Sequence, residues 1–183
     1  MIEYSEDLKF WLNLTDMTKL GGLAPEQNKK IADLILDEKP NIVLETGVFA
    51  GSSTVTILEA LKQLNNGILY SIDDMSLIKK FTCCYITEDL KSRWIFIKDK
   101  SQHYLSSLKD DFIIDIFLHD SEHTYDNMRF EYFWAMEHVK SNGWVVSHDT
   151  HDNKAWDDFC EKIKCSIVDS FKIHSLAGVK VKK

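Results

Sequence analysis

The sequence predicts a doubly wound α/β domain, with a mostly parallel, seven-stranded sheet and helices on both faces. Short apolar runs alternate along the chain with longer stretches whose apolar residues recur at helical spacing. The segments between successive runs are long enough for a helical crossover, which parallel strands require. No repeat or Gly/Ser/Pro-rich linker divides the 183 residues. We therefore expect one domain, residues 1–183, with residues 1–24 as an N-terminal helical segment on the substrate side.

The apolar runs give the strands. They are predicted at residues 42–44, 68–72, 94–97, 113–118 and 144–147, with two more near 166–173 and 178–181.

Helical spacing and end signals give the helices. Pro25 opens the first helix and Pro40 ends it. Further helices are predicted over residues 54–64, 101–108 and 155–163. A long helix before Gly143 has an inward face made of Met128, Tyr132, Ala135 and Val139. Residues 75–93 are predicted to be part helix and part loop over a site.

Composition excludes several classes of protein. The net charge of −7 argues against a sequence-independent nucleic-acid binder, which needs a positive field. No apolar run reaches the roughly 18 residues of a membrane span, and the N-terminus lacks the basic and apolar regions of a signal peptide. The four cysteines form no CxxC pair. We therefore expect reduced thiols and a cytoplasmic protein.

Polar and ionisable side chains follow five consecutive strands. In a doubly wound sheet, ligands bind outside the carboxyl ends of the strands, near the switch in strand order. The groups after the five strands are, in order, Glu45 to Thr54, Asp73 and Asp74, Asp99 to His103, His119 to His123, and His148 to Asp152. This coincidence predicts a ligand site at that edge.

The loop after the first strand indicates the kind of ligand. Gly47 allows a tight turn and Gly51 a close start of the next helix, where free N–H groups with Ser52 or Ser53 suit a carboxylate or phosphate. Asp73 follows the second strand, where an acidic residue accepts two hydrogen bonds from a ribose diol. The two features together predict a ligand that contains adenosine.

A dinucleotide does not suit this loop. Phe49 stands where the second glycine of GxGxxG belongs, and Glu45 would repel a pyrophosphate. The acidic side chain suits a ligand that carries an ammonium group beside a carboxylate, as the methionine part of S-adenosylmethionine does.

Four segments resemble the motifs of class I S-adenosylmethionine-dependent methyltransferases, which have a Rossmann-like fold. They are ETGVFAGSST, LYSIDD, IIDIFLHDSEHTY and GWVVSHDT. The likeness is greatest to small O-methyltransferases, both the catechol type and the macrolide-sugar group with its cephalosporin-hydroxylase-like members. It runs from about residue 26 to the C-terminus, and it implies methyl transfer to a hydroxyl of a sugar, phenol or natural product.

The resemblance also implies roles for single residues. Glu45, Gly47 and Gly51 would line the methionine end of the cofactor, with Ser53 on its carboxylate and Asp73 on the ribose. Ser101 and Gln102 would border the adenine.

The fourth and fifth strand ends would hold the reacting groups. By the same resemblance Asp120 lies beside the cofactor, and Asp120 and Asp149 match two magnesium ligands of metal-dependent members. The third ligand there is usually Asp or Asn, but this chain has Thr150. His123 is the candidate base, because it lies three residues after Asp120 and titrates near neutrality.

Two other functions use the same residues. A hydrolase or oxygenase would bind Zn²⁺, Mn²⁺ or Fe²⁺ through the histidines and aspartates at the fourth and fifth strand ends. The alternation of side chains along a strand, however, turns His119 away from Asp120 and His148 away from Asp149. A non-catalytic module would bind the adenosyl ligand alone. With little chain left for a substrate cap, the pocket is either open or completed by a second subunit in a homodimer.

Overall fold

The computed structural model describes residues 3–13, 22–75 and 86–183. Its helices are α1 (Glu6–Leu12), α2 (Pro25–Glu38), α3 (Ser52–Leu64), α4 (Ser101–Ser107), α5 (Tyr125–His138) and α6 (Ala155–Ile163). Its strands are β1 (Ile42–Thr46), β2 (Ile68–Ile72), β3 (Trp94–Ile97), β4 (Ile114–His119), β5 (Val139–Ser147), β6 (Ile167–Ile173) and β7 (Leu176–Val181). Over these residues, no helix combines the length and the apolar character needed to cross a membrane.

The strands form one seven-stranded sheet in the order β3-β2-β1-β4-β5-β7-β6. The pairs from β3 to β5 are parallel, and β7 pairs antiparallel with both β5 and β6. The predicted fold class is therefore confirmed. The order reverses between β1 and β4, so the site expected from the sequence lies at the carboxyl ends of these two strands.

Alternate residues of each strand face opposite layers of helices. Val43 of β1 packs in the core that contains residues of α1, α2 and α3. The next residue, Leu44, packs in the core on the other face, with residues of α4, α5 and α6. A sheet covered on both faces needs apolar residues at consecutive positions, which is why its strands are near-continuous apolar runs.

Two predicted elements differ from the structure. Val139 is not on the inward face of α5 but is the first residue of β5, which is longer than predicted because Val139 itself pairs with Ile114 before a register shift. The apolar pattern of the first half of β5 is weak, since residues 140–142 are exposed. Of the ambiguous stretch 75–93, residues 76–85 lie outside the described residues, and Lys91–Arg93 is a 3₁₀ turn.

The described part of the N-terminal segment contains α1, and most of it is far from the strand ends. The backbone amide of Ser5 and the carbonyl of Glu3 form hydrogen bonds with the side chain of Gln63. Gln63 lies about 16 Å along α3 from the start of that helix. Of its described residues, 22–24 approach the predicted site, where the Leu23 carbonyl accepts a bond from Asn28 and Asn28 donates to Ser52.

The turn after β1 passes directly over the chain that leaves β4. Gly47 has φ +85°, and a Cβ atom there would lie 2.0 Å from the carbonyl oxygen of Asp120. The Asp120 amide donates to the Thr46 carbonyl at 2.8 Å. Gly47 is thus required by the contact between two strand ends as well as by its positive φ.

Replacing Gly47 by alanine should lower the free energy of unfolding by roughly 2–4 kcal/mol, because the methyl group clashes with a backbone that has no room to move. Denaturant unfolding measures the change. Asp110→Ala, which shortens an exposed side chain, is the control. If both variants were equally stable, the two strand ends would not be in tight contact.

Candidate active site

The glycine turn is closed by Asp73, the residue that follows β2. One carboxylate oxygen of Asp73 accepts from the amides of Val48 and Phe49 at 2.8 and 3.1 Å. The other accepts from the amide of Met75 at 2.6 Å. Phe49 and Met75 both have positive φ. Asp73 therefore holds in place the strained backbone of the turn after β1 and of the chain that follows β2.

Glu45 lies beneath this turn and is fully buried. Its carboxylate accepts hydrogen bonds from Ser53 at 2.5 Å and from Thr54 and Ser71 at 2.8 Å. Glu45 and Ser53, predicted to contact the ammonium and the carboxylate of the ligand, thus bond each other in this structure. Neither presents an oxygen atom to solvent, because both side chains are nearly inaccessible.

Burial shifts the ionisation of Glu45. Loss of solvation raises its pKa to about 7, and the charge of Asp120 adds to the rise, although the three hydroxyls oppose it. Glu45 therefore holds its proton more tightly in the folded chain than in the unfolded chain.

Two histidines and three aspartates converge after β4 and β5. His148 Nδ1 lies 3.0 Å from Asp120 Oδ1 and 3.1 Å from Asp149 Oδ2. His123 Nε2 is 3.7 Å from the same Asp120 oxygen, and His123 Nδ1 is 3.4 Å from both Asp149 and Asp152. The structure thus brings together Asp120, His123 and Asp149 as the sequence predicts.

His148 belongs to this cluster, although strand alternation predicts that it faces away from Asp149. That prediction is wrong because β5 ends at Ser147 and Asp149 has φ +49°. The left-handed residue turns the chain, so the two side chains reach the same side of the sheet. His119, by contrast, is still in β4 and is buried against α5, as expected.

The opposite charges of the histidines and aspartates within the cluster stabilise one another. Burial alone would lower the pKa of His148, but hydrogen bonds to Asp120 and Asp149 and the charges of these two residues raise it to about 10. Burial alone would also lower the pKa of His123, but the interaction with Asp120 and the charges of Asp149 and Asp152 raise it above its ordinary value. Both aspartates that face His148 have a lowered pKa, since the histidines outweigh the effect of burial.

Under the cluster lies a buried carboxylate that the sequence analysis missed. Glu131 of α5 accepts from Thr46 at 2.5 Å, His119 at 2.7 Å and Ser121 at 2.7 Å. Asn127 donates to it at 3.0 Å. Its position on the inward face of α5 between Met128 and Tyr132 was the available signal, because an acidic residue on a buried face needs partners.

A second missed group supports His148 from behind. Its Nε2 atom lies 3.1 Å from the hydroxyl of Ser175, in the turn between β6 and β7. The Ser175 hydroxyl also accepts a hydrogen bond from the side-chain amide of Gln27 at 2.9 Å. The Ser175 carbonyl accepts from both the backbone amide and the hydroxyl of Thr150. No sequence pattern links these residues, which are far apart along the chain.

Ser101 and Gln102, the pair predicted to border an adenine, begin α4. Ser101 is half-buried and contributes, with His119 and Thr46, to the hydrogen bonds that lower the pKa of Glu131 against the effect of burial. Gln102 is exposed. The structure therefore joins Ser101 to the buried network and leaves Gln102 at the surface.

The order of the sheet, the glycine turn and the polar strand ends define a doubly wound domain that binds its ligand at the β1/β4 switch. A family model described as a methyltransferase domain matches residues 44–150, more than half of the chain. The chain belongs to this methyltransferase family. A comparison with curated proteins found no significant match.

Solved structures of O-methyltransferases have the same fold. The Bacillus cereus enzyme in complex with S-adenosylhomocysteine is 14% identical, with a TM-score of 0.70 over 100% of this chain and 93% of that one. TomG from Streptomyces achromogenes, in complex with S-adenosylmethionine, is 14% identical, with a TM-score of 0.69 over 100% and 92%.

A third structure contains a metal. MycE from the mycinamycin biosynthetic pathway, with magnesium and S-adenosylhomocysteine, is 18% identical, with a TM-score of 0.67 over 99% of this chain and 56% of that one. At such identities these likenesses show a shared fold.

The buried Glu45 predicts a pH dependence of stability. Because folding raises the pKa of Glu45, its protonation contributes to the free energy of unfolding. This contribution is complete below pH 4.5 and is lost as the pH rises through about 7. Relative to wild type, Glu45→Gln should therefore gain stability with rising pH, by roughly 3 kcal/mol once both pKa values are passed. Chemical denaturation at several pH values gives the difference.

The exposed Glu122 provides the control, since Glu122→Gln changes the same chemical group outside the buried network. A Glu45→Gln variant that followed the pH profile of wild type would mean that the Glu45 carboxylate ionises as it does in water.

Proposed function

We propose that this methyltransferase moves a methyl group from S-adenosylmethionine to a hydroxyl of a small molecule. One observation carries the proposal: residues 44–150, which match the family, contain every residue predicted for the cofactor and for catalysis. The O-methyltransferases of the same fold that hold S-adenosylmethionine or S-adenosylhomocysteine support the cofactor and the acceptor atom. The family match favours a transferase over the hydrolase, oxygenase and binding-module alternatives.

In this proposal the cofactor lies over the Gly47–Gly51 turn. Asp73 accepts the ribose hydroxyls, and a carboxylate has about four lone-pair positions, of which three are used by backbone amides here. Binding of the diol therefore competes with the bonds that close the turn. Ser53 reaches the methionine carboxylate by turning from Glu45, while Ser101 and Gln102 border the adenine and Asp120 lies between the cofactor and the acceptor.

His123 is the proposed base. Its Nε2 atom is buried and lies 3.7 Å from Asp120, beyond hydrogen-bond distance, whereas Nδ1 faces the carboxylates of Asp149 and Asp152. A proton on Nδ1 is stabilised by these carboxylates, which leaves Nε2 free to take the proton of the acceptor hydroxyl. Asp120 on the other side of the ring fixes its orientation.

The donor atoms present fit a divalent cation. Asp120, His123 and Asp149 each offer one atom, and these atoms all lie within 4.8 Å of one another. By the resemblance the ion is magnesium, with Asp120 and Asp149 as ligands. When bound, the cofactor supplies the methyl group on a sulfonium and the ion lowers the pKa of the acceptor hydroxyl.

The acceptor is proposed to be a sugar, a phenol or another natural product, and a homodimer would complete an open pocket. We place the reaction in the cytoplasm, because the spacing of the four cysteines suits neither a disulfide framework nor a zinc site.

Calorimetric titration of S-adenosylhomocysteine into the purified chain tests the cofactor. We expect micromolar binding, after which a panel of hydroxylated acceptors is assayed with and without divalent ions. Absence of binding would overturn the proposal.

Asp73→Ala should weaken S-adenosylhomocysteine by roughly 1–3 kcal/mol, because the ribose hydroxyls lose their acceptor. The same titration measures the change. Asp110→Ala, which removes an exposed carboxylate before β4, should leave the affinity unchanged. Equal affinities in the two variants would remove the ribose assignment.

His123→Gln should lower kcat by roughly 10²–10⁴-fold while the affinity for S-adenosylhomocysteine stays near that of wild type, since the side chain acts on the acceptor proton. His151→Gln is the control, because His151 is an exposed neighbour of the cluster. A His123→Gln variant with unchanged kcat would exclude His123 as the base.

A further inference from the structure

We propose that His148 is a metal ligand through Nδ1, and that with Asp120 and Asp149 it makes a site that binds a first-row transition-metal ion more tightly than magnesium. The inference rests on the proposed function only for the reaction that the ion assists, because the geometry that supports it involves no cofactor residue other than Asp120.

The distances from His148 to the two carboxylates suit ligands of one ion. Adjacent ligand atoms around a six-coordinate ion with bonds of about 2.1 Å lie about 3 Å apart. His148 Nδ1 is 3.0 Å from Asp120 Oδ1 and 3.1 Å from Asp149 Oδ2. The nitrogen atom therefore lies at the separation of a neighbouring ligand from each of the two oxygen atoms.

The surroundings of His148 are those of a metal-binding histidine. Such residues have their second ring nitrogen fixed by a polar partner, which orients the first nitrogen. Here Ser175 lies 3.1 Å from Nε2, and Ser175 is itself held by Gln27 at 2.9 Å. The ring thus presents Nδ1 to the two carboxylates from a supported position.

The partners of the carboxylates in the cluster are histidines, which can lose a proton when a metal ion binds. In the ranges that the structure describes, all ion-pair partners of Asp120, Asp149 and Asp152 are histidines; no lysine or arginine pairs with them. The ring of His123, the proposed base, lies beside these carboxylates, with Nε2 3.7 Å from Asp120 Oδ1. A base and an ion would therefore be neighbours at Asp120.

The nitrogen donor decides which ion is preferred. Magnesium prefers oxygen ligands, whereas imidazole suits iron, cobalt, zinc and their neighbours. In a site of two carboxylates and one imidazole, with a second imidazole beside it, the metal–nitrogen bond is stronger for a transition metal than for magnesium.

Metal titration of the full chain, after removal of metals with a chelator, tests this. We expect one equivalent of Co²⁺ or Mn²⁺ to bind at least about 100-fold more tightly than Mg²⁺. In His148→Asp, which restores an oxygen ligand, the difference should fall to within about 10-fold. The nitrogen coupling in the electron paramagnetic resonance of bound Mn²⁺ should weaken in this variant.

Two further variants locate the ion. Ser175→Ala keeps all ligands and should weaken Co²⁺ by about 10-fold through loss of the support behind His148. His151→Ala should have no effect; His151, Asp149 and Asp152 form a neighbouring group that also has metal-binding geometry, so a loss of binding in His151→Ala alone would assign the ion to that group and overturn the proposal. Thermal melting verifies that each variant is folded.

Other outcomes also decide the matter. Equal affinity for Mg²⁺ and Co²⁺, no metal binding at all, or a nitrogen coupling unchanged in His148→Asp would each overturn the proposal. Titration of S-adenosylhomocysteine into the same samples separates the two proposals. Cofactor binding without metal would refute only the metal site, and metal binding without cofactor would refute only the methyl transfer.

Discussion

The buried carboxylate of Glu131 is the interaction on which the site depends. It is fully inaccessible, so its charge must be met by protein groups alone. The groups that meet it come from the end of β1, the end of β4 and the loop beyond, through Thr46, His119 and Ser121. One side chain of α5 thus ties together the two strands between which the sheet order reverses. The loops on either side can then be irregular without losing their positions.

The site has two halves on opposite sides of that reversal. Glu45, Ser53 and Asp73 fix the glycine turn, while the histidines and aspartates after β4 and β5 form a separate cluster of charge. They meet where Gly47 passes over the backbone of Asp120. In the proposed reaction, a cofactor bound over the turn and an acceptor held at the cluster would meet at Asp120, with the alignment that an in-line displacement needs.

The sequence predicted the sheet, its two layers of helices and most residues of both halves, because apolar periodicity and the carboxyl ends of strands are local properties. It failed where a residue's position depends on distant partners. Strand alternation placed His148 wrongly, since nothing local shows that Asp149 adopts a positive φ. Glu131 was overlooked because its partners come from three other elements, and Ser175 because a hairpin at the far edge of the sheet brings it to His148.

The turn between β6 and β7 connects the edge of the sheet to the site. Ser175 bonds His148 through its hydroxyl and Thr150 twice through its carbonyl. The two antiparallel strands on this hairpin are therefore joined to the centre of the molecule at their tip as well as along β5. Local opening of that edge must break bonds at the cluster. Whatever occupies the cluster also protects the backbone amides of the hairpin from exchange with solvent.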